Sequence, residues 1–72
     1  MATEVTTTVP GNIWKVLVKE GDEVKKGDTL FIMEVMKTEV NHDSPVDGKV
    51  IQVLVVNDQE GVDPGTAAIV IE

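Results

Sequence analysis

The stretch "EVMKTEV", residues 34–40, is nearly symmetric in character about the pair Met36-Lys37. Glu34 mirrors Glu39, Val35 mirrors Thr38, and Met33, just outside, mirrors Val40. Strand-forming residues on both sides suggest that the chain folds back here, with Met36 and Lys37 as the central residues of a hairpin turn. Such a turn calls for positive φ, which Asn-Gly or other glycine-containing pairs adopt easily. Met and Lys each meet a steric cost on the order of 1 kcal/mol in that conformation. Folding back also sets Glu34 across from Glu39, and like charges facing each other between strands repel. Two local rules are broken within one short segment, which is expected where function overrides folding. The competing reading is a continuous strand over 29–41 that bends in "NHDSP" (41–45). That strand would be long against the usual length of about five or six residues.

Outward from this segment, β-branched runs recur and helical periodicity is hard to find. "IWKVLV" (13–18), "TLFIME" (29–34), "KVIQVLVV" (49–56) and "AAIVIE" (67–72) are separated by turn-rich stretches such as "EGDEVKKGD" and "NDQEGVDPG". This pattern predicts an all-β sandwich or barrel. The chain also repeats itself. "GNIWKVLVKE" (11–20) lies over "GKVIQVLVVN" (48–57), and "VKKGDTLFIME" (24–34) lies over "VDPGTAAIVIE" (62–72). Two copies are too few for a solenoid, which needs about three repeats. They suffice for two quasi-symmetric halves that bury each other's apolar faces. The expected fold is a flattened barrel-sandwich of two four-stranded halves, formed by residues 1–72 as a single domain. The symmetry mate of the 36–37 bend falls where the chain ends meet, so the tip and the termini should occupy opposite extremities.

Seventy-two residues provide only a small core. There is no cysteine, which removes disulfides and thiolate chemistry. Thirteen acidic residues against six lysines give a formal net charge of −7, the wrong sign for binding nucleic acid. No apolar run approaches the roughly 18 residues of a membrane span, and "MATEVTTTVPG" lacks the features of a secretory signal. A cytoplasmic location is the expectation. His42 stands alone without a partner for metal or acid–base work and is expected exposed in a turn. Trp14, beside Gly11, is expected to cap the core. A lysine at an open hairpin apex is a poor nucleophile by itself, since catalytic lysines are desolvated or crowded by other cations. It is a good handle for an enzyme that acylates it.

These residues carry a resemblance. "EVMKTEV" resembles the attachment motif of biotinyl carrier domains, and "VPGNIWKVLVKEGDEVKKGDTLFIME" with "SPVDGKVIQVLVVNDQEGVDPG" resembles the two halves of a biotinyl/lipoyl domain. The second half includes the turn formed by Pro45 and Gly48. The resemblance implies covalent biotin on Lys37, attached by a biotin protein ligase through an activated adenylate. It implies a biotin arm shuttling a carboxyl group between a biotin carboxylase and a carboxyltransferase or decarboxylase. Glu34, Val35, Met36, Thr38 and Glu39 would be read by the ligase, and the chain itself would be a non-catalytic carrier. Met36 stands where lipoyl domains carry Asp, which favours biotin over lipoate. Val35 and Thr38 replace the Ala and the second Met usual in biotinyl domains. Lipoate on Lys37 in a 2-oxo-acid dehydrogenase-type complex is the alternative cofactor, and an unmodified barrel-sandwich interaction module is the alternative class.

Overall fold

The computed structural model describes residues 2–72. Every element in this region is a strand: β1 (Thr3–Thr6), β2 (Asn12–Val16), β3 (Glu23–Val24), β4 (Thr29–Val35), β5 (Thr38–Asp43), β6 (Gly48–Val53) and β7 (Ala67–Ile71). They form two antiparallel sheets, one in the order β1-β7-β6-β3 and the other in the order β2-β4-β5. Val, Ile, Leu and Phe side chains from both sheets meet in one core, in which Leu30, Phe31, Met33, Val50, Ala68 and Ile69 are fully buried.

The internal repeat is reproduced pairing by pairing. β2 lies beside β4 with Ile13↔Met33 and Val16↔Phe31, while β6 lies beside β7 with Val50↔Ile71 and Val53↔Ile69. Each pair is interrupted at the matching place, at Trp14 in one half and Ile51 in the other. The β4–β5 ladder slips at Leu30 and the β1–β7 ladder at the equivalent Ala68. A bulge of this kind turns two successive side chains to one face, which is how adjacent Leu30 and Phe31 both reach the core. Turn hydrogen bonds repeat as well. Asp22 accepts the Lys19 amide at 3.0 Å, and Gln59, its counterpart, accepts the Val56 amide at 3.1 Å.

The two expected halves are therefore present, one with its four strands and the other contracted to three. β2, β3, β4 and β5 compose one half, and β6, β7 and β1 compose the other. The counterpart of β3 is reduced to a single bridge, Gly11↔Val62, which mirrors the Val24↔Gly48 pair of β3 and β6. Thr3 pairs with Ile71, so the chain ends adjoin at the place that the twofold exchanges with the Met36-Lys37 bend. The body measures 33 × 18 × 17 Å.

Two expectations fail. His42 lies in β5 and is buried, not exposed in a turn. "NHDSP" reads as loop from its residue types, but the six-pair ladder with β4 extends β5 to Asp43 and turns His42 inward against Phe31. Trp14 does not cap the core. The interruption at this position leaves its side chain on the surface, 39% exposed, with the Lys15 ammonium 5.6 Å from the ring centroid.

Candidate functional site

The β4–β5 hairpin closes with Val35↔Thr38, which leaves Met36 and Lys37 as a two-residue turn. Their φ angles are 49° and 67°. Two positive φ values in a row are the signature of the type I′ turn, whose twist matches that of the flanking strands. The ladder selects the turn here against the preference of the residues in it. Glu34 and Glu39 face each other in the next pair, as the sequence symmetry requires. Both are exposed, as are Lys37 and Thr38, while Val35 is half-buried. Met36 is 94% exposed. A methionine this open makes no contribution to the core, and its apolar surface is available to a partner or to a group carried on its neighbour.

Rigidity comes from the flanks. β4 is the central strand of its sheet, with β2 on one side and β5 on the other. Met33, three residues before the turn, is fully buried, and Asn12 pairs with Glu34 from the β2 side. Gly11 makes that approach possible, because a Cβ there would lie 2.5 Å from the Glu34 carbonyl oxygen and 2.8 Å from Val35 Cγ2. Gly48 repeats this at the other end, where a Cβ would meet the Glu72 carbonyl oxygen and Ile71 Cγ2, each at 2.7 Å.

The base of the hairpin is pinned by His42. Its ring stacks on Phe31, with centroids 4.5 Å apart and planes 13° from parallel. Nε2 accepts the Thr8 amide at 3.2 Å and lies 3.1 Å from the Thr8 hydroxyl. An imidazole that accepts at Nε2 carries its hydrogen on Nδ1, and Nδ1 is buried without a hydrogen-bond partner among the described residues. Burial lowers the His42 pKa from 6.5, opposed by the Val40 carbonyl and by Asp43. Sequence reading missed both Gly11 and His42 as supports of the hairpin. The coincidence of Gly11 with Gly48 in the repeat was the available signal for the first, and nothing local marked the second.

The six lysines are not equivalent. Lys15 and Lys49 lie within β2 and β6. The Lys19, Lys25 and Lys26 amides are tied to Asp22, Asp28 and Asp47. Lys37 alone occupies a two-residue hairpin turn. It offers a primary amine at an exposed, rigidly held apex, beside an apolar side chain and two carboxylates. Such an arrangement can receive an acyl group from another protein.

Known proteins share this sequence pattern and fold. The family described as "Biotin-requiring enzyme" matches residues 1–71. The chain is 50% identical over 46 residues to the methylcrotonoyl-CoA carboxylase subunit alpha, mitochondrial, of Dictyostelium discoideum, covering 64% of this chain and 7% of that protein. It is 47% identical over 36 residues to a biotin/lipoyl attachment protein of Bacillus subtilis, covering 50% of this chain and 49% of that one. Its structure superposes on the Kluyveromyces lactis urea carboxylase with a TM-score of 0.90 and 33% identity, over 100% of this chain and 6% of that one. The chain thus spans at most about half the length of these relatives, and far less of the large carboxylases. With the family covering all but the last residue and the fold shared from end to end, this chain belongs to the family described as "Biotin-requiring enzyme", as a domain of the biotinyl/lipoyl type.

Proposed function

We propose that the chain is a biotin carboxyl carrier, biotinylated on Lys37 by a biotin protein ligase. Its turn would present the cofactor alternately to a biotin carboxylase and to a carboxyltransferase or decarboxylase. The observation that carries this is the lysine at the apex of a type I′ turn, beside a methionine 94% exposed. The carboxylases among its relatives and Met36 before the lysine favour biotin as the group attached.

The residues present suit that group. Lys37 Nζ is sterically open. On acylation it gives up a proton and forms an amide with the biotin carboxyl carbon, while the activating group leaves with the bonding electrons. Bound biotin supplies a ureido nitrogen that takes up and releases a carboxyl group. The chain's part is positional. The strained turn keeps the amine clear of the sheet, and the ladder from Thr29 to Asp43 fixes where that turn stands. Tethering replaces a bimolecular encounter with a local concentration on the order of millimolar. Glu34, Val35, Met36, Thr38 and Glu39 form the surface a ligase would read, since they surround the amine in the hairpin register.

The test is Lys37→Arg with co-expressed ligase. The variant keeps charge and approximate size, so circular dichroism and melting temperature should stay unchanged, while intact mass and avidin binding show no biotin. Biotin found on Lys25 or Lys49 of the native chain would refute the assignment.

A further inference from the structure

The tip end of the molecule carries a cleft of about 130 Å³ lined by Asn12, Ile13, Trp14, Glu34, Asp58 and Glu60. The internal twofold generates a second depression at the opposite end, lined in part by Glu23, Gly48, Lys49 and Glu72. Under the repeat, Glu34 corresponds to Glu72 and Glu60 to Glu23. The remaining positions have diverged. Asn12 stands where the other half has Lys49, and Trp14 where it has Ile51. Asp58 stands where the other half has Gly21. Asp58 has φ 63°, and Gly21 has φ 95°. The conformation is therefore one that glycine fills without strain in one copy and that an acidic residue fills at a cost in the other. Scaffold requirements do not explain that choice, because the same turn closes with glycine 37 residues earlier.

We infer that this cleft docks the ureido head of the biotin carried on Lys37, an inference that rests on the carrier reading above. Three features recommend that occupant. The first is chemical complementarity. A neutral cyclic urea has two N–H donors and one carbonyl acceptor. Glu34, Asp58 and Glu60 supply acceptors. The Asn12 side chain already accepts the Gly61 amide through Oδ1 at 3.3 Å, so its NH₂ group remains to donate to the urea carbonyl. The second is the wall. The exposed part of Trp14 provides apolar surface for the fused rings, Ile13 beneath it being buried in the core, and the Lys15 ammonium lies 5.6 Å from the indole centroid.

The third is reach. Glu34 belongs to both the cleft and the hairpin, and Lys37 lies about two residues beyond it, roughly 7 Å along the strands. A lysine side chain extended by a valeryl amide runs through about ten bonds of roughly 1.5 Å each, more than enough to fold back to the cleft. The carboxylates also set a charge rule: a neutral head is admitted and an anionic one is repelled. The arm would thus be parked while empty and remain available to swing.

Trp14 is the sole tryptophan, so its emission reads the cleft directly. Native chain should be compared before and after ligase treatment, with modification of Lys37 verified by mass. Docking predicts a blue shift and roughly twofold less quenching by acrylamide, as when a millimolar site meets a millimolar tethered ligand. Amide resonances of Asn12, Trp14 and Gly61 should move as well. Asp58→Gly, the residue its counterpart position uses, should keep the fold and reduce these changes. Changes confined to residues 35–39, or an Asp58→Gly response equal to native, would overturn the docking. Should the ligase leave Lys37 unmodified, the carrier reading falls by itself. Biotin amide titrated at millimolar concentration into Lys37→Arg then decides the cleft, for it if Asn12, Trp14 and Gly61 move and against it if they do not.

Discussion

At the scale of single residues, the hairpin shows local preference yielding to tertiary context twice. Met36 and Lys37 occupy positive φ because six cross-strand pairs leave them no other geometry. His42 is buried because its strand partner Phe31 draws it into a stack. The second case has a titration consequence. Burial lowers the folded pKa of His42 below 6.5, so the unfolded chain binds a proton more readily than the folded one. The stability this represents is present above pH 6.5 and is lost as pH falls from there toward the lowered folded value. Protonation would also set a second N–H at Nε2 against the Thr8 amide that it now accepts. His42→Gln retains an acceptor but cannot titrate. Urea melts between about pH 7.5 and pH 5.5 should show the native chain losing stability and the variant holding level across that range. Equal slopes in the two proteins would remove His42 as the cause. The turn was legible in the sequence because symmetry and rule-breaking coincide at 34–40. The burial of His42 was not, because a lone polar residue in "NHDSP" carries no mark of the strand opposite.

At the scale of elements, paired glycines let two strand ends lie against neighbouring backbone. Gly11 and Gly48 are steric equivalents, each with a backbone carbonyl oxygen and a Cγ2 too close for a Cβ. Only Gly11 abuts the β4–β5 hairpin. Alanine at either site forces backbone apart, and each substitution should cost about 1–3 kcal/mol of stability, as overpacking does. The two should differ in function. Gly11→Ala displaces Glu34 and Val35 and should slow biotinylation several-fold under conditions where the chain stays folded. Gly48→Ala, working at the Glu72 end, should leave the modification rate near native. Timed avidin capture measures both, and equal slowing would mean that general loosening, not hairpin placement, controls the reaction. The four main strands could be read from β-branched runs, with ends within a few residues of those observed. β1 and β3 could not. Two to four residues rich in Thr and Glu lack a periodic signature, and their pairing depends on partners far away in sequence.

At the scale of the molecule, a net charge of −7 is carried on a body 33 Å long and under 20 Å across. Charges so close interact within a Debye length of about 30 Å at 0.01 M salt and are nearly independent at about 3 Å in 1 M. Self-repulsion destabilises the compact state, so the melting temperature should rise as neutral salt is added across that range. A fall would show that favourable ion pairs outweigh the repulsion. The overall architecture was the most legible feature of all. Repeat offsets read from residue letters reappear as matching pairs, bulges and turn hydrogen bonds, because two copies of one unit can close a core only by presenting the same faces to each other. The reduction of one strand to the Gly11↔Val62 bridge left no trace in the letters.

The pairing of Thr3 with Ile71 has a consequence for how such a unit can be built into larger proteins. Entry and exit of the chain sit side by side, as the two wires of a lamp share one socket. A host enzyme could therefore receive the module within a single surface loop, its own halves barely parted, and still hold the Lys37 amine at full arm's length from the splice.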